Sequence, residues 1–223
     1  MTDLVLAIGE SNLSLSDPRV QSTLLADSEL ALYLLRQESD FRTLGSEGAR
    51  ESLLLFLDNQ QALWAAGRII PFRYGQLFQG AATIQLISED KIHWEKQLQR
   101  LGPTGELSLF LPLAKEQEKE DPDESSTSRP SGREYLQRRK AHFEAQSPSS
   151  PALSKIRLAL SKELAHLLDE DFRKKDDDLE WTLLLPKQSL LPLCDRLSTL
   201  EPKVRFAGPF PPLSFVTPPK LNP

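Results

Sequence analysis

Three histidines, one cysteine and scattered carboxylates are the groups in this sequence that could bind a metal or carry out catalysis. His93, His142 and His166 lie far apart, and none has a second histidine at i+3 or i+4, the spacing that sets two imidazoles on one helix face for zinc. Helix-surface histidines are the plainer reading. His93-Trp94-Glu95 and His142-Phe143-Glu144 echo the H-x-E half of a zinc deaminase, but the P-C-x-x-C half is missing. Gly9-Glu10-Ser11 lacks the second glycine of a nucleophile elbow. There is no Walker A or G-x-G-x-x-G phosphate loop. Counted from Asp121, a calcium loop would need glycine sixth and glutamate twelfth, where the chain has Ser126 and Gly132. Asp176-Asp177-Asp178 reads as a turn before a strand. Cys194, alone in a Leu-rich helical pattern, can build neither a disulfide framework nor a thiolate zinc site and reads as a small buried hydrophobe. The expectation is no catalytic residue, no metal and no cofactor.

The elements that would position such groups can be read from periodicity. Leu4 to Gly9 looks like a buried strand closed by glycine. Pro18 can open a short helix up to Leu25. Glu29 to Leu35 suits a strand, although its leucines also allow a helix. Ser46 to Ala66 is the strongest early helix, with Leu53, Leu54, Leu57 and Leu63 near helical spacing and Gly67 as its stop. Arg68 to Tyr74 is strand-like, with Pro71 suggesting an edge or bulge. Glu89 to Leu101 reads as a helix and Gly105 to Leu113 as a strand. Arg133 to Gln146 is a further helix, with Arg138, Arg139 and Lys140 as a salt-bridged face. Pro151 opens another helix, expected to run to about Asp171 on the stripe Leu153, Ile156, Leu160, Leu164 and Leu167. Leu179 to Leu185 is a strand, Gln188 to Leu200 a helix, and Val204 to Phe206 a last strand before a proline-rich tail.

The pattern predicts an α+β fold in two domains, with helices on one face of largely antiparallel sheets. An N-terminal ferredoxin-like α/β sandwich spans 1–113, an acidic flexible linker 114–132, and a helix-rich, modified ferredoxin-like α+β domain 133–223. The strand at 105–112 can belong to either domain or join them. The stretch 115–132 carries no large apolar residue to offset the entropy of ordering. Lys plus Arg is 27 and Asp plus Glu is 32, a net charge of −5, which argues against holding nucleic acid phosphates. The apolar run at the N-terminus is too short and lacks the basic region of a signal peptide, and no run approaches a membrane span, so a cytoplasmic protein is expected.

Two segments stand out. One is Arg68-Ile-Ile-Pro-Phe-Arg-Tyr-Gly75; the other is Gly208-Pro-Phe-Pro-Pro-Leu-Ser-Phe-Val216, in a tail where seven of the chain's 17 prolines fall within the last 22 residues. Prolines there fix φ and reduce the entropy lost on ordering, and Phe210, Leu213 and Phe215 are apolar anchors on that stiff backbone. Such a tail can fold over its own core or dock a partner.

These segments carry a resemblance. Ile69 to Gly75, with Leu77-Phe78, resembles the V-L-P-[MV]-R-F-G-T-V-F run of the gas vesicle protein L/F family (GvpL/GvpF). Gly208 to Val216 resembles that family's terminal G-P-W-P-P-Y-S-F, and Gly132-Arg-Glu-Tyr-Leu-Gln-Arg-Arg139 its G-x-x-Y-L-x-x-R helix start. Phe210 and Leu213 stand where the family usually has Trp and Tyr, as in a divergent paralogue. The resemblance implies a two-domain, non-enzymatic accessory protein of gas vesicles in the cytoplasm. Its role would lie in shell assembly, or as a minor component, and it would bind the hydrophobic shell protein, with other accessory proteins as further candidate partners. Candidate partner-binding residues are Arg68, Ile70, Phe72, Arg73, Tyr74, Phe210, Leu213 and Phe215. The competing class is a ferredoxin-like regulatory protein that binds a small ligand; fold alone does not decide between them.

Overall fold

Leu4–Ile8 and Leu30–Leu35 are almost unbroken apolar runs, as expected of strands covered on both faces. In the computed structural model, which describes residues 2–13, 17–25, 28–37, 46–112, 151–175, 178–201 and 203–217, they form the two inner strands of a four-stranded sheet. The strands are β1 (Thr2–Glu10), β2 (Val20–Leu24), β3 (Leu30–Gln37) and β4 (Ile69–Pro71), all antiparallel in the order β2-β3-β1-β4. Helix α1 (Ser46–Ala66) covers one face through Phe56 and Leu63, which join Leu4, Leu6, Tyr33 and Leu35. Helices α2 (Ala81–Glu89) and α3 (Lys91–Leu101) cover the other, where Ile87, Trp94 and Leu98 meet Val5, Ile8, Leu32, Leu34 and Ile70. The expectation of helices on one face therefore fails here, because both faces of β1 and β3 are apolar.

A second antiparallel sheet joins β5 (Thr104–Pro112), β6 (Asp169–Lys175), β7 (Asp178–Pro186) and β8 (Arg205–Phe210) in the order β6-β7-β5-β8. The strand at 105–112, counted within the 1–113 unit in sequence or left to join the two, is instead an inner strand of the second sheet, paired with β7 and β8. Helices α4 (Pro151–Ala159) and α5 (Lys187–Ser198) pack on its apolar face. There Leu153, Ile156, Leu190, Leu193 and Leu197 meet Leu107, Leu109, Trp181, Leu183 and Leu185. By order along the chain, both sheets place their strands second, third, first, fourth, the arrangement of a ferredoxin-like unit. In the second, a helix follows the first and the third strands. In the first, the described residues between β1 and β2 contain no helix.

Several elements differ from expectation. The span 18–25 forms β2 instead of a helix. The helix from Pro151 stops at Ala159, gives a 3-10 turn over Glu163–His166, and turns to extended backbone at Leu167 ahead of β6. Only Phe172 of β6 has a large apolar side chain, so the strand carries little hydrophobic alternation. The last strand runs on to Phe210. The expected linker at 114–132 and helix at 133–146 lie outside the described residues.

The two sheets meet at the C-terminal end of α1. The Trp64 indole N–H donates to the Thr104 carbonyl at 2.8 Å. The Lys187 ammonium donates to the Trp64 carbonyl and, at 2.7 Å, to the Gly67 carbonyl, and lies 4.9 Å from the Trp64 ring centroid. A cation there complements the negative end of the helix dipole. Burial lowers the Lys187 pKa from its ordinary value, and the Glu10 carboxylate opposes that shift. Backbone and indole approach so closely that a Cβ on Gly105 would sit 2.5 Å from Trp64 Cζ2 and 2.7 Å from Leu190 Cδ1. Gly105→Ala is therefore expected to lower unfolding stability by about 1–3 kcal/mol, read from urea midpoints, through overpacking of this joint. An unchanged midpoint would show that the joint has slack.

Candidate functional site

Helix α1 is packed with polar groups inward and leucines outward. Gln60 is only 3% exposed, and its Nε2 donates to the Leu6 and Phe72 carbonyls, each at 2.8 Å. These carbonyls lie where β1 bulges between Val5 and Ala7 and where the chain leaves β4. The Ser52 hydroxyl accepts from Gln37 Nε2 and is hydrogen-bonded by the Tyr74 hydroxyl at 2.7 Å. Asn59 Nδ2 donates to Asp17 at 3.1 Å and to the Leu55 carbonyl at 3.0 Å. Hydrogen bonding by the Arg19 side chain, opposed by burial and reinforced by Asn59, holds the Asp17 carboxyl well below the usual carboxylate range.

Of the four leucines read from the helical spacing, only Leu63 enters the core. Leu53, Leu54 and Leu57 are 36%, 49% and 44% exposed. Sequence reasoning missed this face because α1 carries two interleaved stripes. Ser52, Phe56, Asn59, Gln60 and Leu63 fit helical spacing as well as the leucines do. Which stripe faces inward depends on the irregularity of β1, which the sequence does not display.

The residues singled out in sequence divide between core and surface. Ile70 is buried in edge strand β4, and Phe72 packs on Trp94 with ring centroids 5.7 Å apart. Tyr74 meets Phe56 edge-on at 5.4 Å. Arg68 is exposed and paired with Glu10 at 2.5 Å. Arg73 is exposed and makes no ion pair with another described residue. Phe215 is buried with Leu101 and Leu184, Leu213 is half-buried, and Phe210 is 46% exposed. The Gln61 side chain of α1 donates to the Pro209 carbonyl at 3.3 Å, which places the segment next to Phe210 beside α1.

The C-terminal motif is clasped from two sides. Gly208 adopts φ 124°, a conformation that favours glycine, where β8 bulges against β5 ahead of a cis peptide to Pro209. Beyond it, a 3-10 turn over Leu213–Phe215 is held by Glu106 of β5. The Ser214 N–H donates to Glu106 Oε2 at 2.7 Å, and its hydroxyl to Oε1 at 3.2 Å. From α3, Arg100 donates to the Phe215 carbonyl at 3.1 Å and the His93 ring to the Thr217 carbonyl at 2.9 Å. The tail thereby ties the first unit's α3 to the second sheet. Burial pushes the Glu106 carboxyl up to about 7 against the opposing effect of the Ser214 hydrogen bonds. Apart from these contacts, a polar cleft of about 750 Å³ is lined by residues that include Glu10, Glu29, Arg68 and Glu95. Among the described residues no cluster of His, Cys, Asp and Glu could hold a metal ion, and no helix is long and apolar enough to cross a membrane.

The fold and this site define an α+β protein of two antiparallel sheets with an outward apolar helix face and a clasped C-terminal motif. The same fold occurs in the crystal structure of the gas vesicle protein GvpF from Anabaena sp. PCC7120, with TM-score 0.64 at 14% identity over 99% of this chain and 98% of that one. It also occurs in GvpF from Microcystis aeruginosa, with TM-score 0.61 at 14% identity over 96% and 98%. The family model described as gas vesicle synthesis protein GvpL/GvpF matches residues 24–217. The chain belongs to the GvpL/GvpF family, and its role is gas-vesicle-related. A comparison with curated proteins finds no match.

The buried Glu106 has a consequence for pH dependence. Its folded pKa of about 7 lies above its ordinary value of 4.5, so between these pH values the folded chain keeps a proton that the unfolded chain releases. Its contribution to stability is present below pH ~4.5 and declines as pH rises through about 7, by on the order of 3 kcal/mol. Glu106→Gln is expected to remove that decline. In urea titrations at pH 5.5 and 8 the wild type should lose more stability than the variant across this interval. Equal losses would contradict the assignment.

Proposed function

We propose that this chain is a non-enzymatic accessory protein of gas vesicle assembly in the cytoplasm, and that it holds the hydrophobic shell protein on the outward face of α1. The observation that carries this reading is the set of three leucines left exposed on a helix whose orientation is fixed by buried hydrogen bonds. An exposed apolar patch of this kind suits a partner that is itself apolar and prone to aggregate. Phe210, set beside α1 through the Gln61–Pro209 contact, extends the apolar surface. Arg73 supplies an exposed cation for an acidic group on the partner. Of the other residues singled out, Tyr74 supports this surface by packing on Phe56 and hydrogen-bonding Ser52 of α1, while Ile70 and Phe72 pack on the opposite face of the first sheet, Phe215 packs with Leu101 and Leu184, and Arg68 pairs with Glu10.

The polar cleft favours a second reading, a small-ligand regulator. Thermal shifts with amino acids or nucleotides, absent with shell protein, would select it.

Leu54→Asp with Leu57→Asp tests the first reading. Both leucines are about half exposed, so the change is expected to cost about 1–2 kcal/mol per site in partial burial and helix propensity while the fold is kept, which circular dichroism checks. Capture of purified shell protein should fall at least tenfold, while Phe210→Ala and Arg73→Ala give smaller losses. Undiminished capture by the folded double variant would remove α1 from the interface.

A further inference from the structure

Edge strand β6 has an unusual charge order. Its residues, Asp169-Glu-Asp-Phe-Arg-Lys-Lys175, place three acids before Phe172 and three bases after it. β6 pairs with β7 on one side, and among the described residues no strand pairs with the other. An unpaired edge carries backbone donors and acceptors that can template another strand, and charges along it decide which strand is accepted.

We propose that two copies of this chain associate through β6, antiparallel and centred on Phe172, joining their second sheets into one of eight strands. In that register Asp171 lies opposite Arg173 of the second copy, Glu170 opposite Lys174, and Asp169 opposite Lys175. The twofold axis repeats each pair. The two central phenylalanines face one another as a cross-strand aromatic pair.

The same charges disfavour the nearby alternatives. A shift of two residues one way sets Asp171 against Asp171 and keeps only Asp169 opposite Arg173; the other way it sets Arg173 against Arg173 and keeps only Asp171 opposite Lys175, whereas the centred register has three kinds of attractive pair and no like pair. Parallel pairing opposes like charges at every charged position. One register is therefore selected by attraction and defended by repulsion.

The central side chains suit this arrangement; Glu170 is held within the chain by Arg157 at 2.7 Å and by the Trp181 indole N–H at 2.8 Å, so Lys174 of the second copy would join an acceptor that is already engaged. Asp171 and Arg173 are 2.9 Å apart within the strand, with side chains 41% and 51% exposed, so both can reach across the edge. Lys174 is exposed and has no ion pair with another described residue. Phe172 is half-buried and stacked parallel on Trp181 at 5.9 Å, a rigid platform for its counterpart. The edge lies across the sheet from β8, where Pro209 meets α1, so pairing leaves the leucine face open. The proposal does not depend on the shell-binding reading.

Sedimentation equilibrium of the full chain tests it. The wild type should show a concentration-dependent dimer. Asp171→Arg and Arg173→Asp should each weaken it tenfold or more, because each sets like charges opposite one another. An equimolar mixture of the two should restore a dimer, since an all-basic pair of positions then meets an all-acidic one. Circular dichroism checks that each variant is folded; if one is not, Lys174→Glu, which sets two acids opposite one another, takes its place as the weakening variant, and the mixture is read only when Asp171→Arg and Arg173→Asp both fold. A wild type that stays monomeric to its solubility limit would overturn the proposal. A dimer that the charge changes leave intact, or a mixture of folded variants that fails to dimerise, would do the same.

Discussion

The Gln60 carboxamide fixes the rotation of α1, and much of the molecule depends on that rotation. Its Nε2 donates to two carbonyls at a point where the β1 bulge interrupts regular pairing: that of Leu6, which also accepts the Phe72 N–H at 3.0 Å, and that of Phe72. Leaving one such group buried and unpaired costs about 1–3 kcal/mol. Fully burying a leucine side chain would gain about 1.5–3 kcal/mol. Turning α1 to bury Leu53, Leu54 and Leu57 would withdraw Gln60, Ser52 and Asn59 from their partners together. The same turn would expose Phe56 and Leu63, which lie inward on the same stripe, while the leucines are already about half-buried, so the polar stripe stays inside and the leucines stay out.

From that rotation the joint between the sheets follows. With Gln60 and Leu63 inward, Trp64 points to Thr104, and the last carbonyls of α1 meet Lys187. One turn before Trp64, Gln61 reaches Pro209. The C-terminal motif is then secured by Glu106 on one side and by Arg100 and His93 on the other. Gly105 and Gly208 serve this convergence, the first by lacking a Cβ where the indole approaches and the second by tolerating positive φ. The C-terminal prolines and aromatics thus do structural work in joining the units, while Phe210 remains at the surface.

Much of this fold was legible in sequence where apolar pattern and element type coincide. The runs at Leu4–Ile8 and Leu179–Leu185, the helix at 46–66 and the α+β class could all be read directly. The family motifs pointed to the two segments that the structure brings against the core. What escaped was governed by distant partners. β6 is charged at six of seven positions, so its extended state comes from pairing with β7, with no alternation of its own. The short strand β2 forms on β3, overriding Pro18 as a helix start. The candidate site was legible only in part, because Ile70 and Phe215 resemble exposed anchors in sequence yet are buried, whereas the leucines of α1 resemble core yet are exposed.

The central claim is that the face of α1 set outward by Gln60 is the surface that meets the shell protein. Site-specific photo-crosslinking tests it most directly, with a photoreactive phenylalanine analogue at Leu57 and, as a comparison, at Ile92, another exposed apolar residue on a different helix. The account predicts a crosslink to shell protein from position 57 and none from position 92. Crosslinking from 92 with none from 57 would contradict it.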